Sequence, residues 1–535
     1  MKRSIWLVFI AILSLSLLLA GCKDSGKEAG GDAGTSSNGD GKDMLIFGRG
    51  GDSTSLDPIT TTEGETFRVT DSMFENLVQY NEKDTSVEPA LAKEWEVSAD
   101  NLEYTFMLEQ GVKFHDGEDF NAEAVVYNFE RWMNGNEEQF PYYKMFGGFK
   151  GSEGHIIKEL VAVDEYTVKF VLFRPQAPFL KNLAMSPFGM ASPKALEEKG
   201  DDFREGPVGT GPYKFVEWKK EDKIVLERFD DYRNKEVAKI KQIVFKVIPE
   251  NSTRLNALIN NEIDLMDGLN PSDKEKVTSN DVLQLIERPS MNVAYIGLNF
   301  EEAPFDNKKV RQALNMAVNK QEIIDAFYAG GAIPAKNPMP PSIEGYNDAV
   351  QDYEYDIDAA KKLLTEAGYA DGFEMDLWYM PVARPYMPEA MKVAEVLQAE
   401  WKKLGVDVKL QTVDWATYLD KARDGELNCF MLGWTGDNGD PDNFLYTLLD
   451  KNSIGSNNYS RYANDEVHEL LIEAQTETDQ AKRNELYKQA QVIIKEDAPW
   501  ITLVHSTPLI AGVKELGGYV PHPTGSESFA NVYFK

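Results

Sequence analysis

Cys429-Phe430-Met431-Leu432-Gly433-Trp434-Thr435-Gly436-Asp437-Asn438-Gly439-Asp440-Pro441-Asp442-Asn443-Phe444 joins an apolar run to a loop rich in glycine and aspartate. The pattern predicts a buried strand from Leu427 to Gly433, because a short apolar run bounded by turn residues is best satisfied inside a sheet. Working back along the chain, Trp415 to Asp424 reads as a helix and Val406 to Val413 as a strand. Glu389 to Leu404 reads as a helix with a stripe of Val393, Val396, Leu397, Trp401 and Leu404, ended by Gly405. Phe373 to Met380 is a further strand. Strands alternating with helices imply an α/β lobe with a mixed sheet.

The loop itself has two readings. Glycines and a carboxylate at a strand's C-terminal edge suit a ligand that comes close to the backbone. Equally, Asp-Asn-Gly is turn chemistry, in which the acids cap their own loop. A calcium loop fails, because position 6 counted from Asp437 is Asp442 and position 12 is Leu448, where glycine and glutamate are required.

Outward in both directions the chain is long enough for several lobes, at 535 residues. Met44 to Phe47 is a strand that enters Gly48-Arg49-Gly50-Gly51-Asp52-Ser53, which lacks both phosphate-loop spacings. Glu65 to Val78 is expected to be helical, Glu94 to Leu108 a hairpin about Asp100-Asn101, and Asn121 the cap of a helix through Trp132. Val161 to Leu172 forms another strand pair, and Pro207 to Tyr213 a tight crossing. Val293 to Asn299 is a strand, followed by a helix over Asp306 to Ala317. Ile501 to Val504 is expected to return the chain to the first lobe.

The 88 acidic against 56 basic residues leave a formal charge of -32, which repels nucleic acid and anionic lipid alike. At the N-terminus, Lys2 and Arg3 precede an apolar stretch from Ile5 to Ala20, then Leu19-Ala20-Gly21-Cys22. This is a signal peptide by length and small-residue ending. Its tail resembles a bacterial lipobox, which implies cleavage before Cys22 and acylation of that cysteine; the alternative is an ordinary secretory peptide. Acyl chains would hold the protein durably, at about 0.8 kcal/mol per buried methylene. Lys23 to Lys42 is rich in Gly, Ser, Asp and Lys and reads as a flexible tether. The one remaining cysteine, Cys429, sits in an apolar strand as an inert thiol.

No enzyme is legible. The five histidines form no spaced zinc pair, and no nucleophile elbow or Cys-His arrangement occurs. No metal or other cofactor is expected. Met380-Pro381-Val382-Ala383-Arg384-Pro385-Tyr386 is more informative, since it follows the strand Phe373 to Met380. Arginine suits bidentate contact with a carboxylate, and prolines restrict its loop. The bland alternative is a loop arginine paired with a surface acid. Arg384 and Asp437 nevertheless leave two strands of one inferred sheet at one edge, where a cation and an anion can grip a zwitterion.

Further segments carry a resemblance. Ala92-Lys93-Glu94-Trp95, Gly111-Val112-Lys113-Phe114-His115-Asp116-Gly117, Pro207 to Tyr213, and Phe305-Asp306-Asn307-Lys308-Lys309-Val310-Arg311-Gln312-Ala313-Leu314 resemble family 5 extracellular solute-binding proteins of peptide ABC importers. Pro381 to Tyr386 and Gly433 to Phe444 are similar to its dipeptide-binding branch. The resemblance implies an α/β, bilobal periplasmic-binding-protein-like (class II) fold with an additional inserted lobe, mixed sheets and a hinge. Its implied boundaries are 1–22 signal peptide, 23–42 tether, 43–80 lobe I, 81–204 lobe II, 205–290 lobe I, 291–503 lobe III and 504–535 lobe I. It further implies that Asp437 accepts a peptide's ammonium and Arg384 binds its carboxylate. Trp434, Thr435, Gly436, Tyr386, Gly51 and Ser53 would supply backbone contacts and wall. The implied partners are a short peptide and a membrane permease, for a monomer held at the extracellular or periplasmic face. Alternatives within the fold are oligopeptides, glutathione, haem or a nickel chelate; a secreted hydrolase is the alternative outside it.

Overall fold

The strand Cys429–Thr435 lies inside a six-stranded mixed sheet, paired antiparallel along its length with Asn292–Leu298. The computed structural model describes residues 42–535, so the signal peptide, Cys22 and nearly all of the tether lie outside the described residues. Across this sheet the order is Ala332–Pro334, Trp500–Ser506, Asn292–Leu298, Cys429–Thr435, Glu374–Trp378 and Asp407–Gln411. Glu374–Trp378 runs parallel to both Cys429–Thr435 and Asp407–Gln411, joined by the helices Ala390–Lys402 and Trp415–Arg423. The helical stripe packs as its spacing requires, with Val393, Leu397 and Trp401 fully buried and Gly405 turning the chain at φ +83.

A seven-stranded sheet is built from distant segments, in the order Leu283–Glu287, Leu509–Val513, Leu265–Met266, Met44–Arg49, Gln242–Val247, Lys223–Arg228 and Tyr213–Lys219. A four-stranded antiparallel sheet holds the expected hairpins, Ala92–Val97 with Glu103–Leu108 and Ile157–Asp164 with Thr167–Leu172. Apolar side chains of these two sheets form one continuous core, whereas residues from Met291 to Val504 form another. The chain passes between the two cores twice, after Glu287 and after Ser506.

Two expectations are corrected. The helix expected over Glu65 to Val78 spans Gly64–Thr70, and Val78–Tyr80 is a strand paired with Val87–Pro89. The reason is tertiary: the carbonyls of Ser72 and Met73 accept from Tyr213 and Gly211, so they cannot continue a helix. Gly211 permits that approach, since a Cβ there would stand 2.6 Å from the Met73 carbonyl carbon. Ile501 to Val504 does not return the chain to the first sheet. The whole strand Trp500–Ser506 stays in the six-stranded sheet, and Leu509–Val513 makes the return.

Candidate functional site

Asp437 follows the end of its strand, where the backbone turns under the start of the helix Asp442–Leu449. Its N–H donates to Asn443 Oδ1 at 2.9 Å, and Asn443 Nδ2 donates back to Asp437 Oδ2 at 3.0 Å. The Tyr142 hydroxyl donates to Asp437 Oδ1 at 3.0 Å from the body of the four-stranded sheet. All these partners are neutral. Burial therefore pushes the Asp437 carboxyl up to about 6, with Asn443 and Tyr142 offsetting part of the cost.

The neighbouring acids behave differently. Asp440 is 1 % exposed and receives both arms of Arg483, at 2.7 and 2.8 Å. Burial opposes its charge, yet Arg483 outweighs burial and holds the carboxyl below its usual range. Asp440 Oδ1 also caps the following turn by accepting from the Asp442 N–H at 3.0 Å. Asp442 is pushed up to about 7 by burial and by Asp440, and its carboxylate accepts from Gln475. These two acids thus build the loop, in keeping with the turn reading.

Arg384 sits in a tight turn closed by two backbone bonds with Met387. Its guanidinium lies 4.9 Å from the Trp415 ring centre, and among the described residues it forms no ion pair. The turn is pinned from below, where the Pro385 carbonyl accepts from Ser506 Oγ and the Tyr386 carbonyl from the Tyr328 hydroxyl, each at 2.8 Å. Tyr386 then lays its ring on Gly433, where a Cβ would come within 2.3 Å of Tyr386 Cδ2. Burial pushes the Tyr386 phenol up to about 12. Because Glu374–Trp378 and Cys429–Thr435 are parallel, Arg384 and Asp437 do emerge from one sheet edge.

The other candidates differ in what they leave free. Trp434 is half-buried and spends its Nε1–H on Asn443 Oδ1 at 3.0 Å. Thr435 is half-buried at the strand end, opposite Asn292. Gly436 donates its N–H inward to the Met291 carbonyl, and a Cβ there would meet the Phe444 ring at 2.7 Å. Ser53 is buried, and its hydroxyl lies between Arg49 Nη1 at 3.0 Å and the Glu65 carbonyl at 3.3 Å. The Ser53 hydroxyl is thus engaged within the fold, whereas Gly51 is half-buried.

A scan for known families matches bacterial extracellular solute-binding proteins, family 5 Middle, over residues 86–456. The chain belongs to this family. This solute-binding protein is 42% identical to the dipeptide-binding protein of Escherichia coli over 506 residues, 91% of this chain and 94% of the relative. It is 38% identical to heme-binding protein A of Haemophilus influenzae, covering 98% of each chain. Among solved structures it is similar to the ABC transporter-associated periplasmic binding protein DppA from Helicobacter pylori in complex with peptide STSA. That likeness has a TM-score of 0.80 at 35% identity, covering 92% of this chain and 98% of the other.

Around Asp437 the solute-binding protein brings together residues that its sequence did not connect. Tyr142 reaches Asp437 from 295 positions away, on the short helix Pro141–Phe146. The same body grips the loop again, through Lys181 Nζ on the Gly439 carbonyl at 2.9 Å and Asn438 Nδ2 on Asn182 Oδ1 at 2.8 Å. Gly439 has φ +62 and lies against Thr85, so a side chain there is excluded twice. An aromatic run bounded by proline, Phe140-Pro141-Tyr142-Tyr143, is the one local hint of Tyr142, and it points to no particular partner. Among the described residues no cluster of histidine, cysteine and acids can hold a metal ion. No described helix is long and apolar enough to cross a membrane.

Proposed function

We propose that this protein captures dipeptides, and short peptides of similar reach, between its two bodies and delivers them to the permease of an ABC importer. The observation that carries this reading is Asp437, a carboxylate held by neutral donors alone. A half-buried ion without a counter-ion is unfavourable, and a peptide's ammonium supplies the missing charge. Arg384, which forms no ion pair among the described residues and leaves the same sheet edge, supplies a cation for the peptide's carboxylate. Fixed charges at both ends make length a criterion, since two extended residues span about 7 Å and each further residue adds about 3.5 Å. Side-chain tolerance then comes from water-mediated contacts. The two chain crossings serve as a hinge, and closure gives the permease a shape distinct from the empty protein. On this reading residues 43–80, 205–290 and 507–535 form lobe I, 81–204 lobe II and 291–506 lobe III, the last boundary set by the strand Trp500–Ser506 staying in the six-stranded sheet.

Calorimetry with di-, tri-, tetra- and pentapeptides, STSA among them, tests the proposal. Tight binding of dipeptides that fades with length supports it; binding of pentapeptides alone overturns it. Cys22 is proposed as the acylated anchor of a monomer at the outer face of the cell membrane. Metabolic labelling with palmitate is expected to mark the wild type and not Cys22→Ser.

Haem is the second reading, supported by similarity to the Haemophilus influenzae protein along 98% of both chains. Haem has carboxylates for Arg384 but no ammonium for Asp437. Haemin that binds with an affinity independent of Asp437 would favour it over peptides.

A further inference from the structure

Asn443 is 1 % exposed in the first turn of the helix Asp442–Leu449, and every polar atom of its side chain is engaged. Its Oδ1 accepts from Trp434 Nε1 at 3.0 Å and from the Asp437 N–H at 2.9 Å. Both of those groups can only donate, so the amide oxygen must face them. The amide nitrogen is thereby forced towards Asp437 Oδ2, 3.0 Å away. The orientation of the amide is dictated by its neighbours.

We propose that Asn443 is a positioning residue, which aims the Asp437 carboxylate and keeps it ionised for the ligand's ammonium. The proposal rests on the reading of Asp437 given above. Tyr142, the other donor to this carboxylate, comes from the opposing body, so the proposed hinge opening would withdraw it, whereas Asn443 shares the loop of Asp437 and would stay. Other groups around Asp437 cannot replace it. Tyr80 spends its hydroxyl on the Lys181 carbonyl, Glu63 is an acid with no proton to donate when ionised, Asp440 is paired with Arg483, and Lys181 is bound to the Gly439 carbonyl. The chain Trp434 to Asn443 to Asp437 also gives the half-buried Trp434 a task besides walling the cleft.

Asn443→Asp tests this, because it preserves shape while turning an N–H donor into a second carboxylate oxygen facing Asp437. The full chain is titrated with L-alanyl-L-alanine from pH 5 to 9, beside Asn443→Ala and Asp437→Asn. Wild-type affinity is expected to fall as pH drops through about 6. In Asn443→Asp that midpoint rises by about one unit, so binding relative to the wild type is about tenfold weaker near pH 5, about twofold weaker at pH 7 and equal by pH 9, where the peptide's α-ammonium deprotonates for both proteins. Asn443→Ala, which loses the donor without adding charge, shifts the midpoint in the same direction and decides the matter if Asn443→Asp does not fold. A midpoint unchanged in the folded variants, or a loss equal at every pH, overturns the positioning role while Asp437→Asn still abolishes the pH dependence. If Asp437→Asn binds as the wild type does, the ammonium reading itself fails.

Discussion

Asp437 and Asp440 stand three positions apart in one loop, the first half-buried and the second fully buried, and do opposite things. Asp440 has Arg483 on both oxygens and is held ionised. Asp437 has a tyrosine, an asparagine and no cation, and burial drives its carboxyl up. The first arrangement compensates its charge within the fold, and the second leaves its charge uncompensated. An acid left without its counter-ion at a cleft therefore points to a ligand that brings one.

Breaking the satisfied acid should have the largest effect. Arg483→Ala leaves Asp440 buried and unpaired, with an expected loss of about 3–5 kcal/mol in urea unfolding. Asp440 adjusting without cost would erase the contrast. Next, Asp437→Ala and Arg384→Ala should each weaken dipeptide binding by about 2 kcal/mol or more, measured by calorimetry.

The same contrast predicts a gain. The Asp437 carboxyl is raised in the folded protein, so its effect on stability is fully favourable below the usual carboxylate range and is lost as pH rises through about 6. Asp437→Asn should thus make the unliganded protein more stable at pH 7.5 by about 1–2 kcal/mol, although it binds peptide poorly. A thermal melt without ligand that shows no gain would mean that Asp437 has a counter-ion even when empty. The smallest effect is expected from Tyr142→Phe, which removes one neutral donor and should weaken binding by about 1 kcal/mol.

Much of the fold was legible because a sheet and its covering helices repeat a local pattern. The segments from Phe373 to Gly433 could be placed from apolar periodicity and the glycine at 405, with shifts of a few residues. Expectations failed where a distant backbone intervened. Gly211 and Tyr213 take the carbonyls that would have prolonged the helix beyond Thr70, and Asn292–Leu298 together with Ala332–Pro334 holds Trp500–Ser506 in the second sheet. The site divided in the same way. The types and positions of Arg384 and Asp437 at strand exits were visible, and their family resemblance gave them roles.

By itself the sequence determined the alternating lobe, the acidic surface, the glycines at 433, 436 and 439, and three acids in one loop. Which of those acids would lack a cation was decided by tertiary structure alone. Arg483 arrives at Asp440 from 43 positions away and Tyr142 at Asp437 from 295. Burial and pairing are properties of the assembled neighbourhood, and three aspartates of equal intrinsic acidity become unequal only when that neighbourhood closes around them.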